Sequence, residues 1–288
     1  MASQEQYRTS SGKHFLHRLD EKLFSALPIT YQSGDIGLEI VDLTKENVSL
    51  ALCADYGGYF EGGREERKKF LLWKLKDGKV RGKIAVEDEE RLGWIDYYPT
   101  GDGWFQIGCV DVDLDKRGRG VGRALMNGCL EDCRGSMGVL VGATVWDHMP
   151  KGFFKKFGFV DATPEANISV MALRFREEEI PAPQERRRFT PRLEVGKLVI
   201  DMFDDGQCPT SYVTRQLVKE AVRDFADNIV IKEHDMRDEA EIESFSGIGG
   251  IFVDGDRVFF GYPGKEYHGM IEEIRKVLRK RLEAKSIL

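Results

Sequence analysis

The sequence predicts an α/β protein built on a mixed sheet, with a second and smaller α/β domain behind it. Three observations carry that prediction. An alternating strand, with Phe105, Ile107, Val110 and Val112 among its apolar positions, runs into the glycine-spaced basic turn Lys116-Arg117-Gly118-Arg119-Gly120-Val121-Gly122. Strand and helix patterns alternate on either side of that turn, stop at a proline-punctuated stretch, and start again at Lys197. The chain has 288 residues, 41% hydrophobic and 32% charged, which is enough apolar material for two cores.

Residues 1–36 read as an N-terminal helical extension. Gly37 to Val48 reads as the first strand, and Asn47 to Lys76 has helical spacing through Leu50, Ala54, Phe70, Leu71, Trp73 and Leu75. Val80 to Val86 and Leu92 to Tyr98 are strands joined by the charged turn Glu87-Asp88-Glu89-Glu90. The strand through Val112 follows, then a helix from Arg123 to Cys133 with Ala124, Leu125 and Leu130 apolar, then a strand from Val139 to Val145. Lys151 to Phe159 ends in a glycine suited to stop a helix, and Ile168 to Phe175 is a last strand.

Residues 177–194 form a linker. An acidic block, Pro181-Ala182-Pro183, a basic block and Pro191 sustain neither strand nor helix. Arg186-Arg187-Arg188 within it is either a phosphate-binding patch or solvated linker. Residues 195–288 then read as a buried strand (Lys197 to Phe203), an amphipathic helix (Tyr212 to Phe225), a strand (Ile229 to Glu233) and a short helix (Asp238 to Phe245). A hairpin across Asp254-Gly255-Asp256 and a helix from Tyr267 to Arg281 complete it.

The basic turn carries the chemistry. It points backbone N–H groups outward at a helix N-terminus, where the dipole favours an anion. Glycines at 118, 120 and 122 remove the Cβ atoms that would keep a phosphate away, and Arg117, Arg119 and Arg123 can add charge-assisted bonds. Capture of a pyrophosphate is implied. The nucleotide-triphosphate pattern needs Lys and then Ser or Thr after the last glycine, where Arg123-Ala124 stands. The dinucleotide pattern needs two residues between its last glycines, and here there is one.

Arg117-x-x-Gly120-x-Gly122, entered from Val110-Asp111-Val112 and left by a helix, resembles motif A of the GNAT acetyltransferases. Phe153-Phe154-x-x-x-Gly158-Phe159 resembles that family's closing Phe-Tyr-x-x-x-Gly-Phe, and the likeness spans residues 37–176. It implies that acetyl-CoA is the co-substrate, held by Val110, Val112 and the turn from Arg117 through Gly118, Arg119, Gly120, Val121 and Gly122 to Arg123. Phe154 of the closing helix is expected to add a cofactor contact. The implied activity is transfer of acetyl from acetyl-CoA to an amine of a small molecule or peptide, by direct attack in a ternary complex. By register, the backbone N–H near Val112 polarises the thioester carbonyl.

The chain departs from the family at Phe154, where the usual tyrosine protonates the leaving thiolate, and at Asp147, where an asparagine is usual. Either the thiolate leaves unaided or another acid serves. His148 is the nearest titratable group, and is otherwise a loop histidine. Asp111 and Asp113 flank Val112 as base, acceptor contact or plain solvated strand residues, and Gln106 stands where some relatives keep a glutamate. Trp94, Tyr97, Tyr98 and Trp104 line an acceptor cleft or fill the core. The missing tyrosine and the appended domain leave a second reading open, a non-catalytic CoA- or metabolite-binding sensor.

The order from Lys197 onward resembles the thioredoxin fold, and in particular the YoaP-like domain found behind some GNAT modules. Cys208 opens its first helix, where the dipole favours a thiolate, so it is a candidate reactive thiol or a structural residue. Ser211 occupies the partner position and Gly247 to Gly250 lacks the proline usual before the hairpin, so dithiol cycling is not expected.

Five scattered cysteines (53, 109, 129, 133 and 208) suit free thiols in a reducing compartment. Cys129 and Cys133 read as packing residues, and no metal is expected. A net charge of −6 favours neither nucleic acid nor an anionic membrane, and no apolar run is long enough to span a bilayer. The N-terminus lacks an apolar signal core, so the cytoplasm is the expected location. Nothing in the sequence selects an acceptor or an oligomeric state.

Overall fold

The computed structural model describes residues 29–32, 37–53, 60–144, 149–163, 168–177, 179–181, 189–245, 248–260 and 267–286. Its first sheet contains β1 (Ile29–Gln32), β2 (Glu39–Asp42), β3 (Arg81–Glu87), β4 (Glu90–Pro99), β5 (Phe105–Val112), β6 (Gly138–Thr144), β7 (Val160–Thr163) and β8 (Ile168–Arg174). The strand order is β1-β2-β3-β4-β5-β6-β8-β7. Two strands correct the sequence reading. Residues 29–32, inside the stretch expected to be helical, pair antiparallel with β2. Ile29, Thr30 and Tyr31 are β-branched or aromatic and find an open strand edge there. β7, which follows the glycine stop at Gly158, was not expected and pairs with β8.

β5 and β6 form the parallel pair at the centre of the sheet. Their register joins Phe105–Ile107 to Val139–Val141 and then ends, while β6 stays paired with β8 out to Thr144. Beyond Ile107 the two strands therefore diverge, and residues 108–112 border an opening in the sheet.

The two faces of the sheet are covered differently. α2 (Val121–Cys133) and α3 (Lys151–Lys155) cover one, burying Leu125, Met126, Cys129, Cys133 and Phe154 against Ile95, Ile107, Val139 and Val141. A 3-10 turn at Val48–Ala51 and α1 (Phe60–Lys76) cover the other, with Val48, Phe70 and Leu71 on Val41, Ile84 and Trp94. Each such fully buried aliphatic side chain is worth about 1.5–3 kcal/mol of transfer free energy.

The second sheet holds β9 (Leu198–Asp204), β10 (Ile229–Asp235), β11 (Gly250–Val253) and β12 (Asp256–Val258) in the order β10-β9-β11-β12. β10 runs parallel to β9, and β11 is antiparallel to both β9 and β12. Asp254 (φ 50°) and Gly255 (φ 88°) make the tight left-handed turn that the sequence indicated. α4 (Pro209–Val222) and α6 (Tyr267–Ala284) bury Val213, Leu217, Val218 and Ala221 against Ile271, Ile274, Leu278 and Leu282, and the short α5 is Glu239–Phe245.

The linker has no helix or strand among its described residues, and Arg186-Arg187-Arg188 lies outside them. Its end is packed, not solvated: Phe189 meets the rings of Phe203, Phe252 and Phe245 at 4.9, 5.2 and 5.9 Å. α1 of the first domain packs on α4 of the second. Gly63 permits that approach, since a Cβ there would lie 2.8 Å from the carbonyl oxygen of Pro209. Among the described residues no helix is long and apolar enough to cross a membrane.

Candidate functional site

Gly118 (φ 82°) and Gly120 (φ 87°) take up left-handed conformations that bend the chain from β5 into α2. Nothing lies within 4 Å of where their Cβ atoms would stand, so the concave side of the turn is open. The first intrahelical bond runs from the Ala124 N–H to the Gly120 carbonyl at 3.0 Å, which leaves the N–H groups of Val121, Gly122 and Arg123 as first-turn donors. A cradle of this kind fits a pyrophosphate.

The arginines behave differently from one another. Arg123 is exposed and has no carboxylate partner among the described residues. Arg117 folds back, donating from Nε to the Val112 carbonyl at 3.1 Å. Arg119, expected to face the anion, instead gives both of its bonds to Glu87, at 2.7 and 2.8 Å. Glu87 closes β3 at the start of the β3–β4 turn, and its carboxylate holds that guanidinium.

Val110 and Val112 lie on β5 beside the opening. The Asp113 N–H donates to the Leu92 carbonyl of β4 at 3.0 Å. Successive N–H groups of a strand point to opposite edges, so that of Val112 points away from β4, toward the edge β6 has left.

Asp111 and Asp113 part company. Asp113 is ion-paired with Arg91, and burial holds its carboxyl above the usual range despite that cation. Asp111 is 6% exposed, and among the described residues no donor hydrogen-bonds its carboxylate. It stands opposite Trp94 in the β4–β5 register, near Cys109 and Cys53. Burial pushes the Cys53 thiol up to about 12, with Asp111 and Cys208 adding to the shift and Arg67 opposing it.

Arg67 had no signal in the sequence beyond being a charge on a helix. Its guanidinium is 1% exposed, lies 4.1 Å over the Trp94 ring and bonds Asp96 from Nη2 at 2.6 Å. Nε donates to the Ala51 carbonyl at 3.1 Å and Nη1 to the Gln207 carbonyl of the second domain at 2.5 Å. Asp96 sits at a β-bulge, and its Oδ1 also accepts the Cys109 N–H at 2.8 Å.

Other expectations resolve individually. Phe154, expected to contact the cofactor, is completely buried in the core, edge-on to Phe153 and Phe159. Phe153 is the ring that reaches the turn, 3.3 Å from where a Cβ on Gly122 would stand. His148 and Asp147 lie outside the described residues. Trp94, Tyr97 and Trp104 are buried core, while Tyr98 is half-buried and meets Gln207. Cys129 and Cys133 are buried in the core of the α2 face. Cys208 is exposed just ahead of α4, its Sγ 2.8 Å from the Thr210 hydroxyl.

Residues 80–161 match the model of the acetyltransferase (GNAT) domain family. No curated protein matches the chain. Among solved structures, the chain is similar to the PaiA N-acetyltransferase of Thermoplasma acidophilum in complex with coenzyme A. The two are 12% identical over 48% of this chain and 99% of that one, with a TM-score of 0.40. The GNAT-family N-acetyltransferase YhbS of Escherichia coli, in complex with CoA, gives 16% identity over 51% and 87%, with a TM-score of 0.39. The spermidine/spermine N-acetyltransferase SpeG of Vibrio cholerae gives 12% over 48% and 95%, with a TM-score of 0.38.

Proposed function

We propose that this GNAT acetyltransferase domain moves an acetyl group from acetyl-CoA to a primary amine, by direct attack in a ternary complex. The observation that carries the reading is the open left-handed cradle at Gly118 and Gly120 beside the edge of β5 that β6 has left. The first-turn N–H groups of α2 and Arg123 receive the pyrophosphate, and Arg119 joins them by leaving Glu87. The Val112 N–H accompanies the thioester carbonyl and stabilises the charge that grows on its oxygen. Asp111 accepts the proton that the amine must lose. The C–N bond then forms as the C–S bond breaks. With phenylalanine at 154, the thiolate takes its proton from water.

The second domain is proposed to be thioredoxin-like and non-redox. Support comes from its strand order, the parallel β9–β10 pair and Cys208-Pro209 at the head of α4, with Ser211 in place of a resolving thiol. We further place the protein in the cytoplasm, on the strength of its free cysteines.

Calorimetry with acetyl-CoA tests the site. Gly120→Asp keeps a residue tolerant of the left-handed region but sets a carboxylate where the phosphate is expected. Affinity at least tenfold weaker, with an unchanged melting temperature, supports the reading. Equal affinity in a folded variant contradicts it.

A further inference from the structure

Asp111 is a buried carboxylate without a hydrogen-bond donor among the described residues. Two neighbouring acids are answered: Asp113 by Arg91 and Asp96 by Arg67. Directly across the strand pair, Trp94 is fully buried and its Nε1 has no partner either among the described residues. Two unanswered polar groups thus share one patch of the sheet face under α1. Leaving a buried charge without compensation is costly, and a ligand of opposite charge removes the cost.

The second domain reaches this patch. The Gln207 carbonyl accepts from Arg67, and the Gln207 amide nitrogen lies 2.9 Å from where a Cβ on Gly108 would stand. Gly108 is the residue at which β5 parts from β6, and only a glycine leaves room there for both Gln207 and Asp96. The Tyr98 hydroxyl hydrogen-bonds the same glutamine side chain. Cys208 comes next in the chain, exposed, and both it and Asp111 act electrostatically on the Cys53 thiol.

Resting on the acetyl-transfer reading above, we propose that the acceptor site is built by both domains. Asp111 anchors a small primary amine that arrives as its ammonium, and the Gln207–Cys208 turn forms the facing wall. Arg67 and Asp96 pair with one another, and the Asp111 carboxylate is the group offered to an ammonium. The proton passes from the ammonium to the Asp111 carboxylate, which leaves a neutral amine to attack and a neutral acid behind. Arg67 is the positioning residue that ties the wall to the sheet.

The test uses the full chain with butylamine and 1,4-diaminobutane as probes and 1-butanol as the uncharged control. The rate of iodoacetamide labelling at Cys208 is read by peptide mass spectrometry, and CoA thiol release is read separately. Both amines are expected to slow labelling at least threefold and 1-butanol to leave it unchanged. Asp111→Asn is expected to remove the protection. Gln207→Ala, which leaves the buried charges in place, is expected to raise the amine KM at least fivefold with kcat within twofold. Labelling that no amine slows overturns the composite site, whether or not thiol is released. If amines protect Cys208 through Asp111 without thiol release, the site stands and the transfer reading fails.

Discussion

Arg67 and Asp96 form an ion pair at 2.6 Å in which both side chains are 1% exposed. Burial pushes the Asp96 carboxyl up while the guanidinium and the Cys109 N–H pull it back. A pair of this kind is a poor source of stability but a severe loss when halved. Arg67→Met is therefore expected to cost about 3–5 kcal/mol in urea denaturation, because Asp96 stays behind uncompensated. Arg67→Met combined with Asp96→Leu should recover most of it. A single-variant loss below about 1 kcal/mol would show that the pair is far more hydrated than its burial indicates.

Arg119 is held by Glu87 through two bonds, and in the proposed function it must exchange that carboxylate for a phosphate. Glu87→Gln removes the competitor without disturbing the turn. Acetyl-CoA is expected to bind about threefold more tightly, in keeping with the value of an exposed ion pair. Weaker binding would mean that Glu87 orients Arg119 for the ligand instead of competing for it.

Asp204 gives the second domain a pH signature. Burial raises its carboxyl from 3.8 to about 6, against the pull of Arg215 at 2.6 Å. The folded state thus holds a proton that the unfolded chain has released between those values. The stability this confers is complete below pH 3.8 and is lost as pH rises through about 6. The difference amounts to about 3 kcal/mol across the window. Urea unfolding at pH 4 and pH 7 should show a smaller drop in Asp204→Asn than in the parent chain. Equal drops would assign the proton elsewhere.

Cys208 lies exposed at the head of α4, with the hydroxyl of Thr210 as its contact and Ser211 where a second thiol would be needed. It should label readily with iodoacetamide in the folded protein, while the chain shows no insulin reduction above background. Turnover of insulin disulfides would overturn the non-redox reading of this domain.

Much of the fold was legible because its signals are local. The left-handed turn at Gly118 and Gly120, the hairpin at Asp254-Gly255 and the alternation of β5 each depend on a few adjacent residues. β1 was misread because a four-residue edge strand is fixed by its partner across the sheet, not by its own pattern. The site divided along the same line. The open left-handed turn could be read from glycine spacing, whereas Arg67 draws its role from Asp96, Ala51 and Gln207, which are 29, 16 and 140 residues away in sequence. Arg119 and Phe154 occupied motif positions, yet an unforeseen carboxylate and complete burial decide where they point.

In the proposed reaction an amine attacks acetyl-CoA directly beside the Val112 N–H. The most direct measurement is the initial rate of CoA thiol release across a panel of primary amines, for the parent chain and for Val112→Pro. Proline deletes that one donor on the edge facing away from β4. Amine-dependent release with intersecting double-reciprocal lines is expected, with a loss of about 10²–10³ in kcat for Val112→Pro and acetyl-CoA affinity preserved. Tight acetyl-CoA binding with no release for any amine, or a proline variant as active as the parent, would contradict it.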